Sequence, residues 1–415
     1  MALGFFRSLK VLAVFGIVSF LLASCSSSSS NSSASNTNSG SNTTISTTSA
    51  IPSATLPVSS RWHVQYALPF GGVQMNTFLG ISCADLSHCQ AIGGDKNSQF
   101  MLGTGDGGLS WIRESDPPSL SSSNSSGGTP PGVSGIACPS MIECFALTQN
   151  QYSYSNGNTS GGGLGAAILA TYNGGKTWAI TATLDNTDYF NSISCISTEV
   201  CYVAGDGFVV ASFNGGFSWT KLQTVPQNLP EINSISCYNM YDCVGVSTNH
   251  ILISKDEGRS WAKTLPPKGV TGLTSISCPS FDLCYALGGI GSGLNGIVAT
   301  GSNVVIATDN GGLNWTIVGD LPNSLNPIRI RCISSKICYV VGYVQSDNSS
   351  NSVGGIFITY NGAKSWNSQA VPAQVSGIQD ISCIAVNQCW AVGGATQAGS
   401  NQPGNFVKGF ILSNH

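Results

Sequence analysis

Charge is what this sequence has least of. Only 8% of its 415 residues are Asp, Glu, Lys or Arg, against roughly 25% in an ordinary globular chain. The 16 Lys and Arg are dispersed and the net charge is −3, so the basic stripe of a nucleic-acid binder is missing. Histidine is scarce too: His63, His88, His250 and His415 share no ligand spacing. There is no G-x-S-x-G elbow and no phosphate loop. No metal and no cofactor are therefore expected. The apolar run from Val11 to Leu22 is too short to span a bilayer comfortably. What the chain does have is 50 Gly, 17 Pro, 15 Cys, 41% hydrophobic residues and 36 aromatic rings. That is enough apolar surface to exclude disorder of the whole and to fill a β-rich core.

Arg7 and Lys10 precede the apolar run and small residues follow it, the layout of an export signal. The run ends in Leu22-Ala-Ser-Cys25, which resembles the lipobox of bacterial lipoproteins. The resemblance implies a diacylglyceryl group on Cys25 and cleavage just before it. Residues 1–24 are thus expected to be a signal peptide and 25–56 a Ser/Asn/Thr-rich flexible tether, with a folded domain over 57–415. The tether has no apolar periodicity to repay the entropy of ordering, and ~30 such residues span roughly 30 Å. Processing removes Arg7 and Lys10, leaving 14 basic against 19 acidic residues. Acyl chains, not charge, would then hold the protein to the outer side of a cytoplasmic membrane, or in a periplasm or outer membrane.

The folded part repeats. Fourteen Cys form seven C-x5-C pairs: Cys83/Cys89, Cys138/Cys144, Cys195/Cys201, Cys237/Cys243, Cys278/Cys284, Cys332/Cys338 and Cys383/Cys389. Each first Cys ends a short strand such as Asn-Ser-Ile-Ser-Cys and each second one opens another. Pairs spread one per repeat cannot converge on a metal; in an exported chain they are placed to cross-link adjacent strands. A second landmark follows each of six pairs, a turn motif ending in Trp111, Trp178, Trp219, Trp261, Trp315 or Trp366. Asp106, Asn173, Asn214, Asp256, Asn310 and Asn361 occupy its third position, where a short polar side chain can cap the turn, and glycines follow that accept positive φ.

This motif resembles the Asp-box, or bacterial neuraminidase repeat, which in its family joins the third and fourth strands of a β-propeller blade. The resemblance implies an all-β, seven-bladed propeller in which the six Asp and Asn residues are structural. The seventh motif is incomplete. The chain ends in Gly-Phe-Ile-Leu-Ser-Asn-His, a third strand cut off in its turn, while Ser-Arg-Trp-His near Trp62 reads as a fourth strand without predecessors. The two ends should complete one blade and close the ring, which removes exposed edges.

Loop lengths vary on one face. From second Cys to turn Trp the spacing is 18 residues in the blades of Cys201 and Cys243 but 22 to 34 in four others. In a repeat scaffold such insertions map to a binding face. Tyr152, Tyr154, Asp188, Tyr189, Phe190, Asp206, Phe208 and His250 are the candidate ligand face. A second candidate is in the channel. At the positions flanking Ile before the first Cys most blades carry Ser, Gly or Ala, but the sixth carries Arg329 and Arg331 and the seventh Asp380. A structural ion pair is the expectation, and an anion site in the channel the alternative.

Asp-box propellers include sialidases, whose chemistry needs three Arg on the substrate carboxylate, a Tyr paired with Glu, and an Asp. The folded part has only Arg61, Arg113, Arg259, Arg329 and Arg331, and xyloglucan-type glycosidases use two propellers. The chain also resembles photosystem II assembly/stability-factor-like propellers, single rings that hold a protein partner, although regular disulfides are not part of that pattern. The expectation is a monomeric, non-catalytic scaffold binding protein or glycan on the cell exterior, with an exported glycoside hydrolase as the alternative.

Overall fold

Each C-x5-C segment folds as a β-hairpin clasped by its own disulfide. The computed structural model describes residues 61–68, 76–95, 99–116, 118, 132–149, 166–183, 189–222, 229–291, 302–345, 352–396 and 406–415, all within one compact unit, Pro57–His415. The seven bridges join Cys83–Cys89, Cys138–Cys144, Cys195–Cys201, Cys237–Cys243, Cys278–Cys284, Cys332–Cys338 and Cys383–Cys389. Cys195 lies opposite Cys201 in the strand register, and Cys237 opposite Cys243.

The described residues form seven antiparallel four-stranded sheets and no helix. Numbering the blades by their Cys pairs, the third runs Phe190–Cys195, Cys201–Gly205, Val209–Ser212 and Thr220–Lys221 in order from the axis outward. All five residues of Cys201–Gly205 are buried, because the strand is covered on both faces. Its period of two divides the work. Cys201 and Val203 face Phe145 and Ile168 of the second blade, whereas Tyr202 and Ala204 face Ile235 and Trp261 of the fourth. The same division holds all round, giving one apolar core between each neighbouring pair of blades.

Both chain ends build the seventh blade. Its sheet order is His63–Ala67, Phe406–Ser413, Gln388–Thr396 and Gly377–Ala385 from rim to axis. His63 pairs with Ser413 and Val64 with Leu412, and a hydrogen bond of 3.0 Å links the Ser413 hydroxyl to His63 Nε2. Trp62 is 2% exposed, packed among Tyr339, Ile356, Ile378 and Leu412, and its indole N–H donates to Gln369 Oε1 at 2.7 Å.

Between third and fourth strands the polar residue ties the turn. The Asp106 carboxylate accepts the Ser110 N–H at 2.9 Å and the Ser110 and Thr104 hydroxyls at 2.6 and 2.8 Å. Asn173, Asn214, Asp256, Asn310 and Asn361 accept the equivalent N–H groups of Thr177, Ser218, Ser260, Asn314 and Ser365. Two successive residues in each turn take positive φ. Gly216 shows why the second is small: a Cβ there would lie 2.1 Å from the Phe145 ring.

These ties set the response to acid. Hydrogen bonds from the Ser110 hydroxyl, the Ser110 N–H and the Thr104 hydroxyl hold the Asp106 carboxyl down at about 2. At Asp256 partial burial acts to raise the value, yet the hydroxyl and N–H of Ser260 and the Ser254 hydroxyl outweigh it and the carboxyl stays low. A depressed carboxyl stabilises the fold above its unfolded value, near 3.9, and loses that contribution as pH falls through the folded one. Glu114 has the opposite sign. Burial raises it against bonds from Gln90 and Trp178, so its ionisation opposes folding as pH rises through the folded value. Four of the six turns use Asn, which does not titrate. The expected outcome is a melting temperature at pH 3 within about 5 °C of that at pH 7, with the loss beginning below about pH 4 and complete below about pH 2; a collapse already at pH 3 in thermal melts would contradict it. Separately, Trp62→Ala should cost about 3–5 kcal/mol, measured by urea unfolding under non-reducing conditions.

Candidate functional site

Seven innermost strands face the axis, and each presents an unpaired edge to its neighbour. Main-chain N–H groups on that edge alternate with those in the sheet, falling at the Ile and the Cys of each X-Ile-Y-Cys segment. The preceding blade supplies their acceptors. Ser192 Oγ accepts Ile235 N–H at 3.1 Å, Ser234 accepts Ile276 at 3.3 Å and Ser275 accepts Ile330 at 3.2 Å. At the second position Ser82, Ser194, Ser236, Ser277 and Ser382 accept the N–H groups of Cys138, Cys237, Cys278, Cys332 and Cys83 at 3.0 to 3.1 Å. Asn191 and Asn233 add a third tie, donating to the Ile232 and Leu273 carbonyls of the following blades at 3.2 and 2.7 Å. The small polar residues recurring in the sequence are therefore blade-to-blade fasteners.

The ring is interrupted where the sequence departs from Ser. The channel, open to solvent, is lined by Ser192, Ser234, Ser275, Arg329, Arg331 and Asp380 together with the alternating Ile residues. A register shift sits just before Arg329 and another just before Asp380; bulges of this kind re-aim the side chain that follows. The expected Arg–Asp ion pair is not formed. Asp380 instead reaches forward, as each Ser does, and accepts the Ile81 N–H of the first blade at 3.1 Å through Oδ2 and the Ile381 N–H at 2.9 Å through Oδ1. Two main-chain donors already serve the carboxylate. Among the described residues, neither Arg329 nor Arg331 has a carboxylate within 4.0 Å. Arg329 is half-buried and Arg331 exposed.

The candidate ligand face is split. Tyr152, Tyr154 and Asp188 lie outside the described residues, as does Cys25. Phe190 and Phe208 are corrections: both are core residues, 0% and 4% exposed, in edge-to-face contact at 6.1 Å between the second and third blades. The loop-length argument locates the face but not which way a strand residue beside the loop points. Tyr189 and Asp206 are exposed and adjoin, since the Asp206 N–H donates to the Tyr189 carbonyl. A residue missed from sequence joins them. Glu231 is exposed, contacts Asn191 Nδ2 at 3.3 Å, and precedes Ile232, whose N–H bonds the Gly205 carbonyl. His250 is half-buried in the second-to-third-strand turn of the fourth blade, where its carbonyl accepts the Ser247 N–H. Arg113 and Arg259 are committed elsewhere, to Asp116 and Glu257. Among the described residues no three His, Cys, Asp or Glu side chains converge as metal ligands would.

No protein-family model matches the chain and no curated protein matches it. Solved structures do. YCF48 bound to a D1 peptide is similar with a TM-score of 0.55 and 12% identity over 85% of this chain and 96% of that one. YCF48 from Cyanidioschyzon merolae gives 0.53 and 12% over 86% and 98%. The GH74 xyloglucanase from Xanthomonas campestris gives 0.55 and 13% over 83% of this chain but only 55% of its own length. At these identities the likeness is one of fold. The seven-bladed ring is shared by a peptide-binding protein and by one part of a glycoside hydrolase, and the disulfides are compatible with an extracytoplasmic location.

Proposed function

We propose that the chain is a cell-envelope-anchored, non-catalytic propeller that binds a protein or glycan through the channel and the loop face around it. The observation that carries this reading is the pair Arg329 and Arg331. Both replace a fastening Ser, leave the blade-six to blade-seven seam without its two hydroxyl ties, and present planar cations to the channel. Guanidinium groups grip carboxylates and sulfates through paired hydrogen bonds. A partner bearing an acidic group is what such a seam can hold, and giving up seam stability for it is the usual trade at a binding position. YCF48 with its bound peptide lends weight to a protein ligand. Lipidation at Cys25 would keep the ring at a membrane.

Arg329→Ser with Arg331→Ser should restore the hydroxyl tie to the Cys383 N–H, the Ile381 N–H being already bonded to Asp380, and raise stability by about 1 kcal/mol, while partner recovery in co-purification from native membranes is lost. Undiminished recovery would sink the reading. A second reading, an exported glycoside hydrolase, draws on Tyr189, Asp206 and Glu231 standing on adjoining main-chain segments, since paired carboxylates can serve as acid and base. A panel of aryl glycosides separates the two: the binding reading expects no turnover, and turnover abolished by Asp206→Asn would establish the second.

A further inference from the structure

The face opposite the variable loops is built from the disulfide hairpins and the third-to-fourth-strand turns. Of the 17 large apolar side chains left exposed among the described residues, 11 lie on it. The turn tips carry a pattern. The residue just after the positive-φ pair is, from the first blade to the sixth, Leu109, Lys176, Phe217, Arg259, Leu313 and Lys364, so apolar and cationic groups alternate round the ring. Leu109, Phe217 and Leu313 are 89%, 73% and 67% exposed. Lys176 and Lys364 are exposed with no carboxylate in ion-pair range among the described residues. Inside the tips, the hairpins add Met141, Tyr238 and Tyr241, each about half exposed.

The chain enters the ring on this same face. Arg61 and Trp62 lead directly into the end of the strand where His63 meets Ser413, beside the truncated turn. The segment read as a tether from a lipid-bearing Cys25 therefore joins the domain here.

We infer that this turn face seats the ring on a phospholipid bilayer, with Leu109, Phe217 and Leu313 entering the acyl boundary and Lys176 and Lys364 meeting headgroup phosphates. The inference rests on the reading of Cys25 as lipid-attached. Alternating apolar and basic groups on a protruding rim match a headgroup layer, in which aromatic and aliphatic groups sit just below the phosphates. Carboxylates share the tips: Asp106 and Asp256 are turned into the hydrogen bonds of their own turns, Glu257 is paired with Arg259 and Asp309 is exposed, while Asp85, Glu143, Glu199, Asp242 and Asp282 belong to the inner hairpins. On this reading the acyl chains hold the protein and the tips orient it. The loop face then remains open to the exterior.

Hydroxyl-radical footprinting of the full-length membrane-extracted protein on phosphatidylcholine/phosphatidylglycerol vesicles tests this, with the Cys25→Ser chain in buffer as reference. Oxidation of Leu109, Met141, Phe217, Tyr238 and Tyr241 should slow roughly fivefold on vesicles, with Tyr189 on the opposite face unchanged. The acylated triple variant Leu109→Ser, Phe217→Ser, Leu313→Ser should still float with vesicles but lose the protection of Met141 and Tyr238. Vesicle-bound protein with an unprotected turn face overturns the inference and leaves the anchor reading intact. Mass spectrometry of the first peptide decides the anchor: an unmodified Cys25 overturns that reading, and a chain that is also not protected on vesicles overturns both.

Discussion

Everything in this ring depends on satisfying the inner edge of seven sheets. An innermost strand has one side paired within its blade and the other turned toward the axis, where a bare main-chain N–H has no sheet partner. The chain answers by placing a hydroxyl from the preceding blade against the N–H of an Ile and of a Cys, as Ser234 and Ser236 do for Ile276 and Cys278. Each such bond is modest by itself. Their value is geometric: they repeat with one direction, fix the rotation of one blade on the next, and bring Ile and Cys side chains to the depth where the interblade cores form. The link across the closing seam runs from Asp380 and Ser382 back to Ile81 and Cys83.

A seam that lacks fasteners stands out against that background. Between the second and third blades Gly135 and Ala137 offer no hydroxyl, and nothing is put in their place but smaller side chains. Between the sixth and seventh the substitutes are two arginines, which add charge to a chain that has little. Ile381 compensates locally by bonding the Asp380 carboxylate beside it. The outcome is a seam held by its apolar core, in which Tyr339, Val341 and Trp62 take part, and left chemically distinct at the axis.

Most of the architecture was legible in the sequence because its signals are covalent or strongly local. A Cys pair six residues apart admits one hairpin, a Gly-rich turn before Trp admits few conformations, and the half-motifs at the two ends complete one another. The serine pattern was visible as well, but not its meaning, since nothing local says that a side chain serves the next blade rather than its own. That same forward direction is why an Arg and an Asp in neighbouring blades do not meet. Phe190 and Phe208 misled for a related reason: residues at the mouth of a short loop belong to strands, and strand alternation turned these two inward. Glu231 was hidden because its role comes from Ile232 crossing to Gly205. The alternation of Leu109, Lys176 and Phe217 needed only the repeats to be aligned tip to tip.

The order in which this polypeptide is made sets a final constraint. A sulfur bridge spanning six positions needs only its own hairpin, so under oxidising conditions each blade can be clasped before the next is complete. The strand at His63–Ala67 is among the first to emerge, yet its mate ends at Ser413, 350 positions later. Until that mate is made the early strand is an orphan with an open edge. Ring completion is consequently the last event of assembly, and a chain stalled before its final residues would be left with an unfinished seventh blade and a sticky beginning.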